Sequence, residues 1–408
     1  MGVTLLGLLS ALLAAPASAE ILFATSYNDH AVTSLHLNGS ALSVVSKSYD
    51  CGSEPTWLTL DSSNKVLYCL NEGWGGAASI TSYKPSADGI LSKLNVLPVL
   101  KSPVASTLFG PKNGGLAVAY YDTSSFQTFN VGDAKNLSLL QKETYTLTTP
   151  GKVPERQDVP HLHDAVLDPT GSYIVVPDLG SDLLRIYNID KGTTNVKEGT
   201  PVKAIPGSGP RHAAFAVLGK NTYLYTVNEL SNTITGYSVG INKSAGHDHG
   251  GRKFIKAPAH ELEFTRIFDF STHGPGGSVP AGTKSAEIVV SPDQKFVILS
   301  SRGENLLTFP NLDPSNPTPL VSDPIISFAI DEKSGNLKLI QTAPAGGRNP
   351  RGFSLNKAGT LVASALQDDN RVVIIERDVK TGLLGKIVAS ATVGVGANNG
   401  PNYALFNE

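Results

Sequence analysis

Two stretches of the chain follow one phrase: residues 160–182 read PHLHDAVLDPTGSYIVVPDLGSD, and residues 210–232 read PRHAAFAVLGKNTYLYTVNELSN. In each, a proline opens a short apolar run, a polar turn follows, and a second apolar run ends in acidic or amide residues. Short runs rich in Val, Ile, Leu and Tyr, bounded by Gly, Pro, Asn and Asp, are typical of strands. The phrase therefore predicts an antiparallel strand unit that repeats.

The same phrase recurs along the chain. Four further copies begin at Pro55, Pro103, Ser285 and Pro350. A seventh is split, because residues 401–406 read as a first strand and residues 21–37 as a second and third strand. Joined, the two ends make one unit, which is how a β-propeller closes its ring without an exposed sheet edge. We therefore predict an all-β fold, a seven-bladed β-propeller whose N- and C-terminal strands share one blade.

The composition agrees with a turn-rich β protein. Of the 408 residues, 40 are glycine, 26 are proline and only 17% are charged, against about 25% charged residues in an ordinary globular chain. A net charge of −2 without a Lys/Arg cluster gives no electrostatic reason to bind nucleic acid or an anionic membrane. We predict neither partner, and we expect a monomer because a closed ring has no open edge.

The amino-terminal residues differ from the rest of the chain. An apolar stretch at residues 3–15 precedes small residues at 17–19, the pattern of a signal peptide and its cleavage site. Because this region carries no Lys or Arg, a buried strand or helix is the alternative. We predict a signal peptide over 1–19, a single propeller domain over 20–408 with a surface-loop insert at about 240–253, and a secreted, extracellular protein.

Two further features fit an extracellular compartment. Cys51 and Cys69 are the only cysteines, and an even count favours a disulfide there, with two buried free thiols as the alternative. Sequons at Asn38, Asn136 and Asn242 predict N-glycosylation, with chance triplets as the alternative.

Polar residues gather at one end of the predicted blades. The first and second strands of a blade are antiparallel neighbours, so the start of one and the end of the other share a sheet edge. Residues that could do chemistry occupy these two positions in four blades: His161, His163, Arg211 and His212 at strand starts, and Asp178, Asn228, Glu229 and Arg302 at strand ends. We expect them to converge on one mouth of the central channel.

Arg211 and Arg302 indicate an anionic substrate, because guanidinium groups bind carboxylate or phosphate and are costly in a channel without an anion. The alternative is that each pairs with Glu229 or Asp178 and only ties blades together. Glu229 beside two arginines would stay ionised, and with a histidine it would complete a set for proton transfer. The sequence has no GxSxG elbow, GxGxxG turn, P-loop or free cysteine nucleophile, which disfavours covalent hydrolysis and nucleotide chemistry.

Two places in the sequence carry residues that could bind a metal. His161 and His163 are two residues apart and face the same side of a strand, so they could form half of a site, but no third ligand stands at a diagnostic spacing. Residues 247–249, His-Asp-His, lie on a glycine-rich loop without defined geometry. We predict no metal and no cofactor, and we expect one of the two histidines to bond a neighbouring blade.

At the polar residues of the predicted channel mouth, the sequence resembles the seven-bladed propeller lactonases. This family includes bacterial 6-phosphogluconolactonase and the fungal 3-carboxy-cis,cis-muconate lactonizing enzyme (carboxymuconate cyclase). The phrases that carry the resemblance run in order over nearly the whole chain: residues 156–157, 160–163, 168–169, 178–182, 209–212, 227–232, 286–288, 301–303 and 349–351. The resemblance implies a fungal, secreted member of this family.

The resemblance also implies roles for individual residues. The proposed site of the muconate enzyme is a His, two Arg and a Glu, matched here by His163, Arg211, Arg302 and Glu229. By that resemblance His163 and Glu229 are the acid–base pair, while Arg211 and Arg302 hold the substrate carboxylate or stabilise a developing oxyanion or enolate, without a metal. The expected substrate-binding residues are His161, His212, Asp178, Asn228 and Arg351.

The implied function is a secreted enzyme that either hydrolyses a small anionic or sugar lactone or runs the related cyclisation of a carboxymuconate. The motifs PHLH, GPRH, VNELSN and SRG look more like the bacterial lactonase. Export would separate the protein from cytoplasmic phosphorylated sugars, which favours an unphosphorylated sugar lactone or a lactone from aromatic breakdown. The alternatives are a non-catalytic adhesin or glycan-binding propeller and a metal-dependent gluconolactonase-like mechanism.

Overall fold

The computed structural model describes residues 20–242 and 261–408. Within these residues the strands form seven antiparallel sheets of four or five strands, plus one two-stranded ribbon. The predicted all-β, seven-bladed propeller is confirmed. No helix in the described part of the chain is long and apolar enough to cross a membrane.

The strands of the first four blades, numbered in chain order, have the following bounds. Blade 1 contains β1 (Glu20–Ser26), β2 (Ala31–Asn38), β3 (Ala41–Ser48) and the last strand, β31 (Pro401–Phe406). Blade 2 contains β4 (Pro55–Asp61), β5 (Val66–Asn71), β6 (Ser79–Pro85) and β7 (Leu91–Pro98). Blade 3 contains β8 (Pro103–Phe109), a short 3-10 helix (Pro111–Asn113), β9 (Gly115–Tyr120), β10 (Ser125–Asn130) and β11 (Ser138–Thr144). Blade 4 contains β12 (Val166–Leu167), β13 (Tyr173–Asp178), β14 (Leu183–Ile189), β15 (Val196–Glu198) and β16 (Val202–Lys203).

The remaining three blades follow the same order. Blade 5 contains β17 (Pro210–Leu218), β18 (Asn221–Asn228), β19 (Thr233–Asn242) and β20 (Glu261–Ser271). Blade 6 contains β21 (Lys284–Val290), β22 (Phe296–Arg302), β25 (Pro324–Ile330) and β26 (Leu337–Pro344), with the ribbon β23 (Leu307–Phe309) and β24 (Leu320–Ser322) between its second and third strands. Blade 7 contains β27 (Pro350–Leu355), β28 (Leu361–Leu366), β29 (Arg371–Arg377) and β30 (Leu384–Thr392).

The ring is closed by the two ends of the chain. Strand β31 pairs with β1 in antiparallel register from Leu22 opposite Phe406 to Ser26 opposite Pro401. The C-terminal strand is therefore the innermost strand of a blade that the N-terminal segment begins, as the split repeat predicted.

The second strands of blades 2, 3 and 4 are buried along their whole length. Every residue of β5, β9 and β13 is buried, because neighbouring blades pack against both faces of each sheet. Leu70 of blade 2 and Val118 of blade 3, for example, belong to one apolar cluster. This two-sided burial explains why these segments read as continuous apolar runs and not as alternating ones.

The innermost strands are irregular near their starts, and this places side chains in the channel. In six blades one or two residues near the start of the innermost strand have no partner on the neighbouring strand. Examples are the residue between Pro210 and His212 and the residue between Pro350 and Gly352. Such bulges turn a side chain away from the sheet. One residue from each of these irregularities lines the same narrow space in the channel: Thr56, Val104, Arg211, Glu287, Arg351 and Asn402.

Blade 4 departs most from the predicted repeat. The expected first strand from Pro160 is reduced to a single bridge between Leu162 and Asp178 and the two residues of β12. Between them the Asp164 carboxylate accepts hydrogen bonds from the backbone N–H groups of Ala165 and Ala213, so the segment is bonded to blade 5 as well as to its own blade.

Cys51 and Cys69 form a disulfide that joins the segment before blade 2 to strand β5. Both cysteines are fully buried, and their sequence separation is 18. Replacing both with alanine should lower the free energy of unfolding by about 3 kcal/mol, the value for closing a loop of this length. Denaturant unfolding of the purified variant tests this. A variant as stable as the parent would show that the bond does not constrain the unfolded chain.

Several predicted features lie wholly or partly outside the described residues. These are the signal peptide, most of the insert at 240–253, residues 247–249 and the rest of the Asn242 sequon. Strand β19 continues to Asn242, so the first residues of the predicted insert are strand. Asn38 and Asn136 are exposed, and their glycosylation stays a prediction.

Candidate active site

A cavity of about 460 Å³ opens at the end of the channel where the innermost strands begin. This volume is in the usual range for small-molecule sites. Its lining comes from six blades and the loops between them: Glu72, Trp74, Val104, Tyr121, Asp122, Arg156, His163, Arg211, Glu229, Lys284, Arg302 and Arg351. All four predicted catalytic residues are therefore at one cavity.

Glu229 is the centre of a cluster of arginines on one wall. Its carboxylate lies 2.7 Å from Arg156 Nη2, 2.9 Å from Arg211 Nε and 2.9 Å from Arg302 Nη2. Burial raises the pKa of Glu229, but the three guanidinium groups outweigh burial and hold that pKa well below its usual range. Both carboxylate oxygens are also occupied by guanidinium groups, so neither is free to take up a proton. The geometry favours a positioning role for Glu229 over the predicted acid–base role.

The arginines of this wall are also anchored to blade 6. Arg211 Nη1 donates to the carbonyl of Ala286 at 2.7 Å, and Arg302 Nη2 donates to the carbonyl of Ser285 at 3.0 Å. The alternative in which the arginines pair with Glu229 and tie blades together thus describes part of their role. Three cations nevertheless share one carboxylate, so this wall carries an excess of positive charge toward the cavity.

His163 is buried between two aromatic rings, with ring centroids 5.4 Å from Tyr121 and 5.2 Å from His212. Its Nδ1 is buried without a hydrogen-bond partner among the described residues. Burial lowers the pKa of His163 well below its ordinary value, and the positive charges of Arg211 and Arg351 add to this effect. The ring is therefore neutral at physiological pH and can accept a proton.

His212 lies deeper in the channel than the predicted substrate-binding role requires. Its Nδ1 is 2.9 Å from Glu287 Oε1, and it lines the narrow space below the cavity instead of the cavity itself. Burial lowers the pKa of His212 to about 3 and raises the pKa of Glu287 to about 8. The pair is accordingly neutral, and it supports His163 from beneath.

Three other residues that were predicted to bind substrate belong to the scaffold, which corrects that prediction. They are Asp178, Asn228 and His161. Asp178 is fully buried and paired with Arg185 Nη2 at 2.8 Å. Asn228 Nδ2 donates to the hydroxyls of Thr233 and Thr235 at 2.9 and 2.8 Å.

His161 is held in the same way. Its Nδ1 is 3.0 Å from the carbonyl of Tyr121, its Nε2 is 3.0 Å from Asp158 Oδ1, and its ring stacks on the Tyr121 ring. It does not line the cavity. It is the histidine that bonds a neighbouring blade.

Arg351 differs from the other arginines of the cavity. Its guanidinium carbon lies 5.8 Å from the centre of the Tyr27 ring. Within residues 20–242 and 261–408 it has no ion pair and its side chain makes no hydrogen bond, although it lines both the cavity and the space below. It is therefore a cation available to a ligand, which agrees with its predicted role in substrate binding.

Sequence reasoning missed four charged residues of the cavity: Glu72, Asp122, Arg156 and Lys284. Arg156 had appeared only in a family motif, and it became recognisable as a site residue only when the fold brought it to Glu229. Glu72 had a clearer signal, because Asn71-Glu72 repeats the Asn228-Glu229 pair at the end of a second strand. Among the described residues, no group of three or more His, Cys, Asp or Glu is arranged to hold a metal ion.

The sequence is similar to known proteins over most of its length. A family model described as "Lactonase, 7-bladed beta-propeller" matches residues 21–398. The chain belongs to the seven-bladed β-propeller lactonase family. A protein of Arthroderma benhamiae named "Probable 6-phosphogluconolactonase" is 31% identical over 331 residues, which cover 81% of this chain and 75% of that protein. The 6-phosphogluconolactonase of Bacillus subtilis is 26% identical, covering 83% of this lactonase and 84% of the relative.

Solved structures have the same fold. The periplasmic gluconolactonase of Pseudomonas aeruginosa superposes with a TM-score of 0.74 at 24% identity, covering 95% of this chain and 99% of that one. A putative 6-phosphogluconolactonase of Bacteroides fragilis gives a TM-score of 0.75 at 23% identity, covering 95% and 98%. The lactonase is thus placed in an enzyme family by its sequence and in a propeller architecture by its structure.

A larger groove of about 740 Å³ lies between blades 3 and 4 at the opposite end of the strands. Its lining includes Phe109, Leu167 and Lys191, but no carboxylate, imidazole or guanidinium from the described residues. It has none of the groups that lactone chemistry needs, so the candidate active site is the charged cavity.

Proposed function

We propose that this lactonase hydrolyses a small lactone that carries a negatively charged group, such as a carboxylate or a phosphate. The observation that supports this most directly is the charge of the cavity. Arg156, Arg211 and Arg302 share one carboxylate, and Arg351 faces the same space without an ion pair among the described residues. Guanidinium groups that lack a protein partner favour an anionic ligand.

The proposed reaction needs no protein nucleophile. A water molecule attacks the lactone carbonyl carbon while His163 accepts the proton that the water loses. Arg211 and Arg302, whose guanidinium groups are fixed by Glu229, stabilise the negative charge that develops on the carbonyl oxygen. Arg351 binds the charged group of the substrate. This scheme uses only side chains that line the cavity.

We further propose that the enzyme acts outside the cytoplasm. The signal-peptide pattern at residues 1–19 and the buried disulfide support this. Mass spectrometry of the protein from the culture medium of its host should give an amino terminus at Glu20. An intact residue 1–19 segment on the active protein would contradict export by this route.

The function is tested by acid release in a pH-stat, with and without EDTA, on charged and neutral lactones. The panel pairs 6-phosphogluconolactone with glucono-δ-lactone and includes carboxymuconolactone. Chelator-resistant turnover that favours charged lactones would support the proposal. Preference for carboxymuconolactone would favour the muconate reaction, loss of turnover with EDTA would favour a metal-dependent mechanism, and no turnover on any lactone would favour a binding protein.

Replacing His163 with asparagine should lower kcat on the preferred lactone by about 10²–10⁴-fold, the usual contribution of a general base. The matched control is His36→Asn, which changes a half-buried histidine on the outer strand β2. Initial rates of both variants, measured at equal protein concentration, give the comparison. Equal rates for the two variants would exclude His163 as the base.

A further inference from the structure

Two glutamates hold equivalent positions on opposite sides of the cavity. Glu72 follows Asn71 in blade 2, and Glu229 follows Asn228 in blade 5. Each asparagine pairs with the proline that starts the innermost strand of its blade. In the ring of seven, two blades lie between them on one side and three on the other, and both carboxyl groups line the same cavity.

The surroundings of the two carboxyl groups are opposite in character. Glu229 is surrounded by three guanidinium groups. Glu72 has no ion pair within the described residues, its side chain is buried, and its Oε1 accepts a hydrogen bond from the hydroxyl of Tyr27. The Tyr27 hydroxyl is also 2.8 Å from Thr56 Oγ1. One glutamate is thus stabilised as a carboxylate, and the other sits against aromatic and hydroxyl groups.

Burial raises the pKa of Glu72, while Arg351, the Tyr27 hydroxyl and Thr56 oppose the rise and Asp122 adds to it. The pKa of Glu229 is shifted in the other direction. Two carboxyl groups whose environments separate their pKa values in one site commonly take different roles, one as an acid and one as a fixed charge.

Glu72 is also held rigidly. Its backbone N–H donates to the carbonyl of Glu54 at 3.0 Å, and its carbonyl accepts from the N–H of Ser102 at 2.8 Å. The Trp74 ring lies against the Tyr27 ring with centroids 4.9 Å apart. A site group fixed by backbone bonds and packed neighbours is preorganised for one geometry.

We propose that Glu72 is a second catalytic residue of the cavity, the general acid that protonates the ring oxygen as the lactone opens. This inference rests on the proposed lactone hydrolysis. Opening a lactone breaks the bond between the carbonyl carbon and the ring oxygen, and the electron pair of that bond goes to the oxygen. Without a proton this oxygen leaves as an alkoxide, which is a poor leaving group.

The protons balance over one turnover. Water adds to the carbonyl carbon and gives one proton to His163, which leaves a tetrahedral oxyanion. When this collapses, the carbonyl re-forms, the carbon to ring-oxygen bond breaks, and Glu72 gives its proton to the ring oxygen. The product carboxylic acid loses a proton to solvent, and the proton on His163 returns through water to Glu72. The sum is lactone plus water to hydroxycarboxylate plus one proton.

The first test compares Glu72→Gln with the parent on an aliphatic sugar lactone and on dihydrocoumarin, whose leaving group is a phenol. Loss of a general acid should lower kcat on the sugar lactone by about 10²–10⁴-fold. The loss on dihydrocoumarin should be about tenfold or less, because a phenolate leaves without a proton. The matched control is Glu20→Gln, a carboxyl whose pKa burial also raises but which lies at the far end of β1.

The second test uses Tyr27→Phe, which removes only the hydroxyl that bonds Glu72. A general acid acts when protonated, so kcat of the parent should fall as pH rises through the pKa of Glu72. The Tyr27 hydrogen bond lowers that pKa, so its loss should shift this decrease in kcat to higher pH. Asp122, Thr56, Arg351 and His163 face the same group and are unchanged in this variant.

The outcomes separate the inference from the function on which it rests. If the parent turns over lactones and Glu72→Gln retains its rate, Glu72 is not catalytic and the proposed hydrolysis stands. Glu72→Gln could instead lose kcat equally on both substrates, with no shift in the pH dependence of kcat in Tyr27→Phe. This result would indicate a structural role and would also overturn the inference. A parent enzyme that is inactive on every lactone would overturn both.

Discussion

Replacing Arg351 with methionine is expected to lower kcat/KM on a charged lactone by about 10²–10³-fold, equivalent to losing about 3–4 kcal/mol of binding in the transition state. Arg351 is the guanidinium group at the cavity that makes no ion pair with the described residues. Its removal therefore takes away attraction for an anion and breaks no ion pair, although it also removes the positive charge that opposes the raised pKa of Glu72. Methionine keeps much of the apolar length of the side chain.

The comparison that decides the role of Arg351 is between substrates. The loss on a neutral lactone of the same ring size should be at least tenfold smaller, because no charge is bound there. Arg348→Met is the matched control, since Arg348 is an exposed residue of the preceding loop whose partner is Asp369 at 2.7 Å. Equal losses on the charged and the neutral lactone would show that Arg351 does not bind the substrate charge.

Replacing Glu229 with alanine is expected to lower the free energy of unfolding by about 3–5 kcal/mol, the usual effect of removing one partner from a buried ionic cluster. The carboxylate is buried and is the counter-ion of Arg156, Arg211 and Arg302. Without it, three guanidinium groups repel each other at close range with no carboxylate between them. Denaturant unfolding followed by fluorescence measures the difference.

A glutamate in a solvated pair provides the control for this stability effect. Glu198 is 35% exposed and lies 3.5 Å from Arg185, which keeps Asp178 as a partner. Glu198→Ala should cost about 1 kcal/mol or less. A Glu229→Ala protein as stable as this control would mean that the arginines of the cavity tolerate one another without the carboxylate.

The fold could be predicted from the sequence because each blade repeats the same local sequence pattern. Proline at the start of the innermost strand, a polar turn and a second apolar run mark one unit, and strands begin at Pro55, Pro103, Pro210 and Pro350 as predicted. The exception is the unit from Pro160, where Asp164 bonds a backbone N–H of blade 5. A hydrogen bond between distant segments leaves no periodic signal in the sequence.

The site was predictable in position but not in the direction of its side chains. Strand ends identified the correct mouth, yet Arg211 faces the cavity whereas the neighbouring strand end Asn228 faces its own blade. The alternation of strand side chains would have given this direction, but the bulge at Arg211 interrupts that alternation. The opposite pKa shifts of Glu72 and Glu229 depend on residues from other blades, so the matching Asn-Glu pairs alone could not distinguish them.

The closing strand makes the floor of the cavity depend on a contact between segments that are far apart in the sequence. Strand β31 provides Asn402 and Tyr403 to the narrow space just below the cavity, and its pairing with β1 holds it in the ring. A change that separates β31 from β1 would therefore leave the charged side chains of blades 2 to 7 in place and remove the floor beneath them. The integrity of the site is thus coupled to the strand pairing that closes the ring.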